Sequence, residues 1–219
     1  MKKWYSINTK DPNYLYFLFS LVLMLVLPPL APRMYGGLLL MNLTYGLVLV
    51  MSVIYAGNTR RDFLGLGIMA ATMYLLFLYE RQNLYFSIAS ATFTLIFFGV
   101  ILVKILRYIL FNPIGVNEIY ACITGYMILG VLGAPLFFII DKTANAAFRI
   151  DHQPEFYDFI YFSFITLTSV GYGDISPVNP IAMSATILLS IAGQLYLTIL
   201  IAIIIGKFLA GDKDMEMND

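Results

Sequence analysis

The sequence predicts an all-α membrane protein with six transmembrane helices plus one short re-entrant helix that leads into a glycine-containing loop. Three observations carry that prediction. The 219 residues are 60% hydrophobic and only 12% charged, whereas about 25% of the residues of a soluble domain are charged. Apolar runs near the length needed to cross about 30 Å of hydrocarbon recur along the chain. Between the last two of them lies an apolar, aromatic stretch too short to span, followed at once by a loop with two glycines.

The first span runs from Tyr14 to Leu30, the second from Gly37 to Ala56 and the third from Phe63 to Tyr79. The fourth runs from Leu84 to Val103, with a helical continuation to Phe111. The fifth covers Ile119 to Ile140 and the sixth Ile181 to Leu209. Phe156 to Thr168 is the re-entrant helix. Non-helical backbone at membrane depth is tolerated only where it is buried in protein or lines water, so the loop after Thr168 must be enclosed. Lys2 and Lys3 ahead of an apolar run also suit a signal peptide. Pro32 after Leu30-Ala31 is a poor residue for cleavage and no small-x-small site precedes it, so the first span is read as uncleaved. Asn42-Leu43-Thr44 has the form of a glycosylation sequon but lies inside a span.

Six spans put both termini on one side, with the loops after the second and fourth spans. That side holds Lys2, Lys3, Lys10, Arg60, Arg61, Lys104, Arg107, Lys207 and Lys213, nine of the 13 basic residues. Arg33, Arg81, Lys142 and Arg149 lie opposite. The excess marks the cytoplasmic side and predicts a multi-pass protein of the cell membrane with both termini in the cytoplasm.

Several function classes are excluded. Formal net charge is zero, and no basic run is long enough to follow a phosphate backbone, so no nucleic-acid partner is expected. The single cysteine, Cys122, cannot form an intramolecular disulfide, and with His152 as the only histidine a structural zinc site is not expected. An enzyme reading fails on the same inventory. A Ser-His pair would have to use His152, in a loop beside no intramembrane serine, and no acid pair lies within a span.

The loop is where chemistry concentrates. A bare cation cannot enter hydrocarbon, since the idealised cost is of order 20 kcal/mol, and something must replace its water. Consecutive backbone carbonyls can, and Gly171 and Gly173 are the residues that most readily take the positive φ such a loop needs. Thr166-Leu167-Thr168-Ser169-Val170-Gly171-Tyr172-Gly173-Asp174 resembles the selectivity filter of tetrameric potassium channels, whose carbonyl ring is a standard example of ion selectivity. The resemblance covers Ile119 to Leu209, about two fifths of the chain. It implies a homotetrameric pore with a voltage-gated-channel-like arrangement. Residues 1–112 then form a four-helix transmembrane domain in the sensor position, 113–211 the pore domain and 212–219 a short cytoplasmic tail. It further implies potassium ions held at Ser169, Val170, Gly171 and Tyr172, with Gly173 completing the filter and Asp174 at its mouth. No cofactor is implied beyond the permeant ion, and the expected partners are three further copies and membrane lipid.

Other positions follow from the same resemblance. Tyr161 and Phe162 stand where the family has an aromatic cuff, and the alternative for both is an ordinary lipid-interface position. Some members carry a glutamate that clamps the mouth aspartate. Here Ile165 stands in its place, leaving Asp174 to find another partner, for which the sequence offers Tyr161 of a neighbouring copy. Ser169 replaces the usual threonine, keeping the hydroxyl and losing a methyl. Gly193 falls where the family often places a hinge glycine, and close helix packing explains it equally well. Gln194, the only amide in a long apolar run, is expected to line the vestibule. Leu197, Ile201 and Ile205 follow at four-residue spacing, which suits a hydrophobic gate or ordinary packing.

A voltage sensor needs several charges, each worth about 2.3 kcal/mol per 100 mV. The fourth span offers Lys104 and Arg107 alone, with apolar Ile101, Phe98 and Leu95 ahead of them in register. Strong voltage gating is therefore not expected. With ten residues after Leu209, no regulatory ligand domain is expected in this chain. The outer loop from Asp141 to Asp158 carries Asp141, Asp151, Glu155 and Asp158, a negative mouth that concentrates cations, and His152 is read there as an exposed loop residue. A sodium- and potassium-passing channel and a non-conducting membrane sensor remain the alternatives.

Overall fold

The computed structural model describes residues 13–30, 36–57, 59–79, 83–112, 115–144 and 146–216. Among them, seven helices and one strand pair follow in chain order: α1 (Tyr14–Leu30), α2 (Gly36–Ala56), α3 (Arg60–Tyr79), α4 (Leu84–Phe111), α5 (Val116–Thr143), β1 (Phe148–Arg149), α6 (Phe156–Leu167), β2 (Ser176–Pro177) and α7 (Pro180–Glu216). The fold is all-α apart from the two-residue strands. Among the described residues, four stretches are both long and apolar enough to cross a membrane: Leu39–Ala56, Leu84–Phe111, Val116–Thr143 and Pro180–Gly206. Tyr14–Leu30 and Phe156–Leu167 are shorter apolar helices. Lys2, Lys3, Lys10, Ala31, Pro32, Arg33 and Arg81, used above for orientation and for the uncleaved first span, lie outside the described residues, as do the side chains of Lys207 and Lys213 and tail residues 217–219.

Polar groups inside these helices satisfy themselves locally. Ser20 donates to the Phe17 carbonyl, Thr44 to that of Leu40 and Ser52 to that of Val48, at 2.7, 2.8 and 2.7 Å. A hydroxyl bonded within its own turn no longer needs water, so α1 and α2 can bury it. The Thr44 bond also places the sequon inside α2.

Two elements differ from expectation. The fifth helix starts at Val116 and ends at Thr143, so Asp141 belongs to the helix and not to the outer loop. It is buried, and its Oδ1 has no hydrogen-bond partner among the described residues; it therefore drops out of the exposed acidic mouth. The β1–β2 pair, with Phe148 opposite Pro177 and Arg149 opposite Ser176, has no sequence signature because two residues establish no period.

The chain divides into two units. One comprises the described residues of Met1–Ala70, Val103–Gly125 and Ile204–Asp219; the other comprises Ala71–Leu102 and Tyr126–Ile203. In the first, α1 packs on α2, and the rings of Tyr14, Tyr55 and Tyr108 meet at 5.1 to 5.6 Å. Tyr108 donates to Glu118 Oε1 at 2.7 Å, Asn117 donates to the Tyr108 hydroxyl at 3.2 Å, and the Tyr14 amide donates to Asn117 at 2.9 Å. The second unit is built on aromatic packing. Phe162 of α6 meets Phe137 of α5 at 4.9 Å and Phe148 of β1 at 5.3 Å.

Candidate functional site

Every sequence-predicted loop residue follows the C-terminus of α6, so the placement of that helix comes first. At its N-terminus, Asp158 accepts the Glu155 backbone amide at 2.8 Å, a favourable place for a carboxylate because helix dipoles present positive charge there. Asp158 also lies 3.1 Å from His152 Nε2. On α5, Gly130 and Gly133 have no side chain to hold α6 away: a Cβ on Gly130 would lie 2.6 Å from the Phe164 ring. Ser163 is buried there and donates to the Gly130 carbonyl.

Beyond Leu167 the backbone folds back on the helix end. The Thr168 amide donates to the Phe164 carbonyl and the Ser169 amide to that of Thr166, each at 3.0 Å. The amides of Val170 and Gly171 both donate to the Ile165 carbonyl, at 3.0 and 3.1 Å. Carbonyls that a helix end leaves without partners are thereby used. Ile165 thus anchors the loop through its backbone. Gly171 and Gly173 have φ of +53° and +81°, the left-handed values expected of them. Ser169 shares that conformation at +60°, which sequence reasoning missed because serine carries no composition signal for it. Val170 and Tyr172 are exposed on the single chain.

At the far end of the loop, Tyr161 Oη donates to Asp174 Oδ2 at 2.8 Å. Tyr161 is thus the partner that Asp174 needed, but within the same chain and not from a neighbouring copy. Phe162 faces differently, buried against Phe137 and Phe148.

On α7, Gly193 faces the end of α6. A Cβ there would lie 2.5 Å from the Leu167 carbonyl oxygen and 2.8 Å from its Cδ1, an approach that glycine alone permits. Tyr126 of α5, which the sequence did not single out, donates to the same carbonyl at 3.2 Å. Next to Gly193, Gln194 Nε2 donates to Ser169 Oγ at 2.8 Å. Leu197, Ile201 and Ile205 are exposed on the single chain.

In the other unit, Lys104 Nζ lies 2.8 Å from Asp62 Oδ2 and 2.9 Å from the Ala56 carbonyl. The hydrogen bond from Lys104, with its charge, holds the Asp62 carboxyl below the usual carboxylate range.

Residues 126–210 match a protein-family model described as Ion channel. The match supports an ion-channel function. It takes in most of α5, all of α6, the loop and most of α7, which are the elements that meet at Leu167 and Ser169. No curated protein and no solved structure shows significant similarity to the chain.

Proposed function

We propose that the protein is a potassium-selective channel conducting passively through a homotetrameric pore, with Ser169 to Gly173 as its filter. The observation that carries this reading is the alternation of positive φ at Ser169, Gly171 and Gly173, with Val170 and Tyr172 between them. Backbone that alternates handedness gathers successive N–H groups on one side, leaving carbonyls for the other. Such carbonyls replace the water of a dehydrated cation. One chain supplies one strand, and a ring around an axis needs about four copies, which closed rotational symmetry provides. The exposed Val170 and Tyr172 are then covered by neighbouring copies.

In this reading α1 to α5 and α7 hold six spans and α6 is the re-entrant pore helix, in a cell-membrane protein with cytoplasmic termini. Residues 1–112 are the four-helix domain and 113–211 the pore domain. Asp174 stands at the mouth, Tyr161 and Phe162 brace the pore helix, and Leu197, Ile201 and Ile205 form a hydrophobic gate. The test is ion flux from the purified protein in liposomes, with native mass measured in detergent. Potassium flux well above sodium flux, from a species of four 24.7 kDa chains, is the expected result. Equal passage of both ions, or a monomer as the sole species, sinks the proposal.

A further inference from the structure

Serine at position 169 poses a physical problem. Threonine carries two heavy atoms on Cβ, which restrict χ1, whereas serine moves more freely among three staggered wells. A hydroxyl that must aim a lone pair at an axial cation is poorly held by serine alone. Ser169 also sits at φ +60°, so neither the residue type nor ordinary backbone preference fixes it. Something outside the loop must hold the side chain.

We infer that Gln194 is a positioning residue for the innermost potassium site: its side-chain amide holds the Ser169 hydroxyl and replaces the restraint that a threonine methyl would supply. The inference rests on the potassium-channel reading above. Gln194 Nε2 lies 2.8 Å from Ser169 Oγ, a good N–H···O distance. An amide donating into one lone pair stops the hydroxyl from turning its own proton toward Gln194, and leaves the second lone pair for a cation.

The amide itself is set in place by the backbone beside it. Gly193 packs against the Leu167 carbonyl so closely that a Cβ would lie 2.5 Å from its oxygen. Tyr126 bonds that same carbonyl from α5. The α6 terminus and position 193 of α7 are therefore in fixed register, and the next residue along α7 reaches Ser169 without adjustment. An amide within a long apolar run is costly unless it is used, and here it is used on the Ser169 hydroxyl.

The experiment compares the wild-type chain, Gln194→Met, Ser169→Thr and the double variant in planar bilayers. It reads block by barium from the inner side and potassium-over-sodium selectivity. Barium is nearly the size of potassium with twice the charge, and entering from the inner side it meets the innermost site first. Methionine keeps the length of glutamine and removes the donor. Gln194→Met is expected to weaken barium block about fivefold, the factor for one neutral hydrogen bond. Measured against Ser169→Thr alone, adding Gln194→Met is expected to change block by no more than about twofold, a coupling that independent sites do not show. A merely structural role for Gln194 predicts no such coupling. Unchanged block in Gln194→Met, or the same loss in the Ser169→Thr background, overturns the inference while wild-type selectivity stands. A wild-type protein that does not distinguish potassium from sodium overturns the channel reading itself.

Discussion

The Tyr161 hydroxyl donates to the Asp174 carboxylate at 2.8 Å within one chain, tying α6 to the residue that closes the loop. Removing the hydroxyl leaves the ring and takes away one donor. Because the pair is exposed, the bond is worth about 1 kcal/mol. Tyr161→Phe is expected to insert and assemble normally and to lower potassium-over-sodium selectivity about fivefold, read from reversal potentials. Unaltered reversal potentials would show that the tether does not hold the loop.

The loop glycines are expected to matter for their backbone alone. An added Cβ meets nothing within 4 Å at Gly171 or Gly173, yet both have left-handed φ, which costs an ordinary residue about 1 to 2 kcal/mol. Gly171→Ala or Gly173→Ala should abolish flux or selectivity in liposomes while leaving the helical content seen by circular dichroism unchanged. Normal potassium flux from Gly173→Ala would be fatal to the filter assignment.

Gly193 fails differently, through space. Its substitute side chain would collide with the Leu167 backbone at 2.5 Å, and overpacking typically costs about 1 to 3 kcal/mol. Gly193→Ala is expected to lower the thermal midpoint of the purified protein by several degrees. Gly206→Ala, where nothing lies within 4 Å, is the control and should leave the midpoint in place.

Gating by voltage is expected to be weak. Lys104 is engaged by Asp62 and the Ala56 carbonyl, and neutralising Lys104 and Arg107 together should leave the conductance–voltage curve nearly unmoved. The Asp62 carboxyl is depressed, so the contribution of the pair is present above the ordinary carboxylate range and is lost only as pH falls through the lowered value. Acidifying the inner face to about pH 5 should therefore leave the curve in place too. Steep voltage dependence that vanishes in the double variant would contradict this. In the same recordings, Ile201→Asn should raise resting current if the stripe on α7 gates by dewetting.

Much of this was legible in the sequence because the bilayer imposes length. Apolar runs located the seven helices found among the described residues, with differences of a few residues at most ends, and two glycines at alternate positions announced the left-handed backbone. What stayed hidden depends on contacts between distant segments. Ser169 takes a conformation that its residue type does not advertise, and Tyr126 reaches the Leu167 carbonyl across 41 positions of sequence. Asp141 looked like the start of an outer loop because it is charged, but the helix continues through it to Thr143 and buries it. The Tyr161–Asp174 pair was half visible: the residues were identifiable, but sequence alone could not say whether one chain or two would supply them.

The contact at Gly193 changes what a bend in α7 means mechanically. A helix that swings about an unconstrained joint leaves whatever lies above it undisturbed. Here the joint bears on the Leu167 carbonyl, and the adjoining Gln194 grips Ser169, so the joint is a fulcrum with a short arm fastened to the loop and a longer arm formed by the turns of α7 that follow. A rotation large enough to displace the distal end must pull on the proximal one. A bend of α7 at Gly193 is thereby felt at the Ser169 hydroxyl.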